Sequence, residues 1–169
     1  YSLDNATGSW TARMTGIDIN SDFVQYLAMA QNDIDTVYAA GSSDGGVPTV
    51  MKTSNGGQGW AHTFLTSGNE NIATGWSGEG GDRGWGYGEV VYGLAVAPTD
   101  SSRAVITDMG FVHRTSDGGT TWQQAYVSSA DQHPAGSTNI ARDSYHSIGL
   151  ENTSSYQVFW SDAQNLFAA

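Results

Sequence analysis

Cysteine is absent from the 169-residue sequence, and cations, proline and long apolar runs are scarce. Without cysteine the chain has no disulfide framework and no thiolate metal site. No apolar run approaches the roughly 18–20 residues of a membrane-spanning helix, so no membrane span is predicted. Six Lys and Arg residues stand against 17 Asp and Glu residues, which gives a net charge of −11. This charge argues against nucleic acid or an anionic membrane as a partner.

Glycine and aromatic residues are abundant, with 22 Gly, 6 Trp and 8 Tyr, while charged residues make up only 14% of the chain. This composition is typical of many short strands joined by tight turns. No stretch keeps a 3.6-residue apolar period without Gly, Thr or Asn interrupting it, so we expect almost no helix. An acidic chain without cysteine is compatible with an extracellular or cell-surface location, with the periplasm as the alternative.

The most specific pattern is the stretch 115–122, Thr-Ser-Asp-Gly-Gly-Thr-Thr-Trp. Its fixed places are filled by Ser116, Asp117, Gly119, Thr121 and Trp122. Asp and Ser side chains accept hydrogen bonds from backbone N–H groups in a turn, and glycine takes up positive φ at little steric cost. The Trp opens the next strand and buries a large aromatic surface. The pattern therefore predicts a hairpin turn with a structural role.

The pattern occurs twice more in looser form. One copy keeps the Ser, the second Gly and the Trp at Ser54, Gly57 and Trp60, and replaces the Asp by Asn55. The other copy ends at Trp10, so the Trp-to-Trp spacings are 50 and 62 residues. Self-similarity at roughly 40–60 residues predicts a propeller or another repeat array.

This pattern resembles the Asp-box, or BNR repeat, of sialidase-type β-propellers. The resemblance implies an all-β fold with blades of four antiparallel strands and with Asp-boxes at the blade periphery. A blade takes about 40–50 residues, and closed propellers have roughly four to eight blades. Three copies of the pattern predict about two whole blades and two partial ones, so we expect a part of a larger propeller.

The blade pattern divides the chain into six parts of one β-propeller domain. Residues 1–16 end a blade, 17–66 form a blade, 67–89 are an insertion loop, 90–128 form a second blade, 129–143 are a second insertion, and 144–169 begin a further blade. Each whole blade starts with an apolar run, 23–30 or 90–97, which we expect to be an inner strand buried on both faces.

A single carboxylate is the candidate for catalysis. Asp108 lies in the segment 107–113, Thr-Asp-Met-Gly-Phe-Val-His, between the second and third strands of the second blade. The segment resembles the Thr-Asp-x-Gly-Gly and Asp-x-Gly-Gly-Phe-x-His segments of xyloglucan-hydrolysing glycoside hydrolases, in which that aspartate is catalytic. The resemblance implies the same role for Asp108, although Phe111 departs from the spacing in that family. The alternative is that Asp108 is a turn residue ahead of Gly110.

The insertion 67–89 is the candidate substrate-binding surface, because it combines aromatic rings with carboxylates. Aromatic faces stack on sugar rings, and carboxylates bond to sugar hydroxyls. The candidate residues are Trp76, Trp85, Tyr87, Glu79 and Asp82. The alternative is an ordered loop whose tryptophans pack on the propeller or on a partner subunit.

The sequence therefore predicts a segment of a secreted Asp-box propeller that binds or hydrolyses polysaccharide. An enzyme of this kind would be a glycoside hydrolase with carboxylate acid and base groups. The alternative is a non-catalytic propeller that binds protein or glycan or serves as a structural surface module. The expected partners are a polysaccharide or glycan and the remainder of the propeller or other subunits. Histidines lack metal-ligand spacing and no phosphate loop occurs, so no metal and no cofactor are predicted.

Overall fold

The computed structural model describes residues 1–4, 6–43, 46–65, 72, 90–108, 112–125 and 157–168. The regular elements in these ranges are all β-strands, which confirms the all-β prediction. Within the same ranges there is no helix that is long and apolar enough to cross a membrane.

The chain begins with an amino-terminal hairpin and continues into the first blade. The hairpin pairs β1 (Ser2–Asp4) with β2 (Ser9–Thr11). The first blade is a four-stranded antiparallel sheet in chain order. Its strands are β3 (Phe23–Met29), β4 (Val37–Ser43), β5 (Val47–Thr53) and β6 (Ala61–His62).

The second blade repeats this arrangement, and a carboxy-terminal hairpin follows it. The blade consists of β7 (Gly93–Ala97), β8 (Asp100–Thr107), β9 (Val112–Thr115) and β10 (Gln123–Gln124). The hairpin pairs β11 (Val158–Trp160) with β12 (Leu166–Ala168). Strand β11 contacts β7 as β7 contacts β3, so β11 and β12 stand in the places of the first two strands of a blade. Residues 144–151, predicted to start that blade, lie outside the described residues.

The main apolar core lies where the two blades pack face to face, as expected of neighbouring propeller blades. We call the side of each blade that is directed toward the following blade its back face, and the opposite side its front face. The back face of the first blade contributes Tyr38, Ala40 and Val50, and the front face of the second contributes Ala104 and Ile106. Burial of this surface is the main force that holds the blades together.

The first strand of the first blade is more exposed than predicted. Phe23, Leu27 and Met29 have exposed fractions of 59%, 68% and 52%. The prediction that the run 23–30 is buried on both faces is therefore wrong. In the second blade, Val96 stands at the place of Met29 and is buried, because the back face of the first blade covers it. Burial of an inner strand depends on which blade precedes it.

Candidate functional site

The ends of the strands in each blade form two opposite rims, which we call edges, and the two edges hold different connections. In an antiparallel sheet in chain order, successive connections fall at alternate edges. One edge, here the turn edge, carries the connections between the first and second strands and between the third and fourth strands. The opposite edge, here the insertion edge, carries the connection between the second and third strands and the points where the chain enters and leaves the blade.

The turn edge of the second blade holds the stretch 115–122, in which Asp117 bonds its own turn. Its Oδ1 accepts hydrogen bonds from Thr115 Oγ1 at 2.8 Å and from the Thr121 N–H at 2.9 Å, and its Oδ2 accepts one from Thr121 Oγ1 at 2.6 Å. Burial raises the pKa of the Asp117 carboxyl, but the hydrogen bonds from Thr121 and Thr115 outweigh it and hold that pKa below its ordinary value. Gly119 has a φ of +88°, and Ser116 is exposed.

The first blade builds the same turn with an amide. Asn55 Oδ1 accepts hydrogen bonds from Thr53 Oγ1 at 2.8 Å and from the Gly59 N–H at 2.9 Å. Thr53 Oγ1 accepts a hydrogen bond from the Gly57 N–H at 3.0 Å, and Ser54 is exposed. We call the stretches 53–60 and 115–122 the tryptophan turns. In both turns the first Thr and the Asn or Asp that follows it are hydrogen-bonded within the turn itself.

Each tryptophan of these turns ties its blade to the preceding one. Trp60 Nε1 donates to the Arg13 carbonyl at 3.0 Å, and Trp122 Nε1 donates to the Thr63 carbonyl at 2.9 Å. Arg13 and Thr63 each lie three residues past the tryptophan of their own repeat. Thr63 Oγ1 also donates to the Gly119 carbonyl at 2.6 Å. The two repeats therefore share the same tryptophan hydrogen bond to the preceding blade as well as the same hydrogen bonds within the turn.

A second turn repeats along the chain, and the sequence analysis did not identify this repeat. Asp33, Asp100 and Asp162 each follow the first strand of a blade or half blade and accept a hydrogen bond from the backbone N–H two residues later, at 3.2, 3.0 and 2.8 Å. Side-chain hydrogen bonds, first of all from Ser101 to Asp33, lower the pKa of these carboxyls. The sequence does show this repeat, because each Asp lies four residues before an apolar residue of the following strand: Val37, Ala104 or Leu166.

The insertion edge of the second blade holds Asp108, the catalytic candidate. Asp108 directly follows β8, and its Oδ2 lies 3.7 Å from His113 Nε2 on β9. Both side chains are fully buried, and the ring of Phe64 from the first blade packs edge-on against His113 with centroids 4.9 Å apart. A carboxyl and an imidazole at this separation attract each other when the imidazole is protonated, but 3.7 Å is too long for a hydrogen bond between them.

The repeat does not require this pair. The registers of the two blades place Gly41 of the first blade at the position of Asp108, and Met51 at that of His113. A Cβ added to Gly41 would overlap the carbonyl of Phe23, so the first blade has no room for a carboxylate there. Asp108 and His113 are therefore particular to the second blade, unlike the turn residues.

The first blade has its own carboxylate–histidine contact, which the sequence analysis missed. Asp22 Oδ2 lies 3.4 Å from His62 Nε2, and His62 Nδ1 lies 3.0 Å from Thr49 Oγ1. Asp22 Oδ1 accepts a hydrogen bond from Ser43 Oγ at 2.9 Å. This cluster joins the entry of β3 to the last strand of the blade. Its side chains bond one another, so it fits the role of a structural clasp.

The predicted sugar-binding residues cannot be placed at this site from the structure. Trp76, Glu79, Asp82, Trp85 and Tyr87 lie outside the described residues. The chain on either side of their insertion is described and meets the insertion edge. The Val91 N–H donates to the Gly41 carbonyl near the end of β4 at 3.2 Å, and β6 runs toward the same edge. The described residues Phe64 and Val91, before and after the insertion, therefore lie toward the insertion edge.

Among the described residues, no group of three His, Asp or Glu side chains is arranged to hold a metal ion.

No family model matches the chain, and no curated protein matches it in sequence. A solved structure described as "YCF48 bound to D1 peptide" is similar to the chain, with a TM-score of 0.47 and 13% identity. The similarity covers 92% of this chain and 45% of that one, so the chain spans less than half of that protein's length.

Proposed function

We propose that the chain is a segment of a secreted Asp-box propeller that binds or hydrolyses polysaccharide, with its ligand at the insertion edge. The observation that carries this proposal is the collection at one edge of Asp108, His113 and the described residues that flank the aromatic insertion 67–89. The opposite edge is occupied by turns whose polar side chains bond their own backbone. Binding and catalytic residues concentrate on loops that a rigid scaffold positions.

For hydrolysis, we assign Asp108 the role of general acid or base. An inverting glycosidase needs two carboxyl groups roughly 6.5–9.5 Å apart, so a second carboxylate has to come from elsewhere in the propeller. His113 Nε2 lies 3.7 Å from the Asp108 carboxyl and, when protonated, is suited to orient it by charge attraction. The aromatic rings of the insertion would stack on the sugar units.

A non-catalytic binding propeller is the second candidate function, and the burial of Asp108 favours it. An acid or base must reach the glycosidic oxygen, whereas the Asp108 side chain has no exposed surface. In that case Asp108 and His113 stabilise the packing at the insertion edge, and the insertion binds a glycan or a protein.

Asp108→Asn separates the two functions, with Asp100→Asn at the turn edge as the matched control. On a soluble β-glucan, hydrolysis is followed by release of reducing ends and binding by affinity electrophoresis. As an enzyme, the Asn variant should lose about 10²–10⁴-fold in hydrolysis and keep its binding, while the control keeps both. Binding without hydrolysis in every form would select the second function, and neither activity on any glycan would reject a polysaccharide ligand.

The secreted location is tested separately by fractionation of cells that express the natural gene. We expect the protein in the medium or at the cell surface. Recovery in the cytoplasm alone would contradict this part of the proposal.

A further inference from the structure

The first tryptophan turn contains an Asn–Gly pair, a dipeptide that is prone to lose the side-chain amide of its asparagine. The backbone nitrogen of the residue after an asparagine can attack the carbonyl carbon of that side chain. Glycine hinders this attack least, because it has no side chain and its backbone is free to turn. Asn55 and Gly56 form this pair, and no other asparagine of the sequence is followed by glycine.

The pair is open to water in the folded chain. Asn55 and Gly56 are both exposed, and so is Asp117, which stands in the place of Asn55 in the second tryptophan turn. A whole blade precedes the second turn, so this exposure belongs to the turn itself. Access of water therefore does not limit chemistry at Asn55.

The hydrogen bonds of the folded turn restrain both reacting groups. Asn55 Oδ1 accepts hydrogen bonds from Thr53 Oγ1 at 2.8 Å and from the Gly59 N–H at 2.9 Å. The attacking nitrogen is also engaged, because the Gly56 N–H donates to the Asp35 carbonyl at 3.0 Å. The attack requires the Asn55 side-chain carbon to reach this nitrogen and the nitrogen to lose its proton. These hydrogen bonds therefore have to break before the reaction.

We propose that Asn55 is a site of spontaneous deamidation, and that opening of the first tryptophan turn sets its rate. Gly56 N forms a bond to Asn55 Cγ, and the side-chain nitrogen leaves as ammonia, which carries the proton of the Gly56 N–H. The product is a cyclic succinimide. Water then adds to one of the two ring carbonyls and breaks the bond between that carbonyl carbon and Gly56 N.

The two products of ring opening differ in how they fit the turn. Opening at the side-chain carbonyl restores the main chain and leaves an aspartate at position 55. Its carboxylate can accept the Gly59 N–H as Asp117 Oδ1 accepts the Thr121 N–H. Opening at the backbone carbonyl gives isoaspartate, in which the main chain runs through the former side chain and is one methylene longer. A lengthened turn moves Trp60, whose Nε1 donates to the preceding repeat at 3.0 Å.

Peptide mass spectrometry of the incubated protein measures the loss of the Asn55 amide. The folded chain should react at least about tenfold more slowly than the chain unfolded in urea, because only its open turns react. Thr53→Val removes the hydroxyl that bonds Asn55 Oδ1 and the Gly57 N–H. This variant should react about fivefold faster than the parent in the folded state, the factor that corresponds to one hydrogen bond. Thr115→Val makes the same change in the second turn and should leave the rate at Asn55 unchanged.

Unfolded in urea, the parent and both variants should react at the same rate, because all three keep the Asn–Gly pair. Equal rates in the folded and unfolded parent would overturn the control by the turn, and this comparison decides the matter even when Thr53→Val does not fold. Equal rates in the two folded variants would overturn it as well. An Asn55 amide that survives in the unfolded parent would overturn the site itself.

Urea unfolding of the separated products tests the difference between them, with Asn55→Asp as the standard for the aspartate product. We expect the isoaspartate form to unfold at lower urea than this standard, because only the isoaspartate lengthens the main chain of the turn. Equal midpoints would contradict the assigned effect on the turn.

Discussion

Replacing Gly119 by Ala tests how closely the second tryptophan turn fits the first blade. The residue has a φ of +88°, a region in which an L side chain costs roughly 1–2 kcal/mol. An added Cβ would overlap Thr63 Oγ1 and lie 3.0 Å from Thr63 Cβ. Thr63 is held in place because its hydroxyl donates to the Gly119 carbonyl at 2.6 Å and its own carbonyl accepts from Trp122.

The magnitude follows from two separable costs. Overpacking a fitted contact costs about 1–3 kcal/mol, so with the backbone strain the free energy of unfolding should fall by about 2–5 kcal/mol. Gly8→Ala is the control, because Gly8 also has a positive φ, +65°, but no atom lies within 4 Å of its added Cβ. That variant should lose the strain term alone, about 1–2 kcal/mol.

Urea unfolding followed by tryptophan fluorescence measures both variants, with the slope of the transition checked for constancy. Thr63→Ala removes the overlapping hydroxyl, so Gly119→Ala should cost less in that background, and a double-mutant cycle gives the coupling. The reasoning is refuted when Gly119→Ala is no more destabilising than Gly8→Ala, or when its cost is the same with and without the Thr63 hydroxyl.

Two further predictions concern the turn-edge carboxylates. Hydrogen bonds, the largest from Ser101, lower the pKa of Asp33 below 3.8, so the stabilisation from the ionised carboxyl is complete above about pH 4 and is lost as the pH falls through the folded-state pKa. Asp33→Asn should therefore weaken the fall of the urea midpoint below about pH 4, and an unchanged pH profile would contradict this. Asp117→Asn should cost about 1 kcal/mol, because Thr121 Oγ1 loses the carboxylate at 2.6 Å. Asn55→Asp should change the urea midpoint less, because Gly59 stands in the first blade where Thr121 stands in the second and has no hydroxyl to donate. Equal shifts for the two substitutions would contradict the contribution assigned to the Thr121–Asp117 hydrogen bond.

The turns could be predicted from sequence because their physics is local. Asp117 and its donors lie within seven residues, and the glycine that takes positive φ is part of the same pattern. The spacing of the tryptophans predicted a repeat, and the resemblance to Asp-box propellers implied the four antiparallel strands of each described blade. The repeated aspartates at 33, 100 and 162 were equally local, and aligning the three inner strands would have found them.

The contacts between distant residues could not be predicted in the same way. Asp22 and His62 meet only because the four strands of the first blade pair in a particular register. The exposure of β3 depends on what packs against the front face of the first blade, which the local sequence of β3 does not encode. Asp108 was singled out through a seven-residue resemblance, whereas its neighbour His113 packs against Phe64 of the first blade, a contact that only the packing of two blades creates.

Hydrogen–deuterium exchange with and without a xyloglucan oligosaccharide tests the central claim most directly, because it reports ligand contact along the whole backbone. We expect slower exchange at the insertion edge, around residues 41–43, 63–65 and 106–108, and no change in the tryptophan turns 53–60 and 115–122. Protection in the tryptophan turns, or unchanged exchange along the whole chain at saturating oligosaccharide, would contradict a glycan site at the insertion edge.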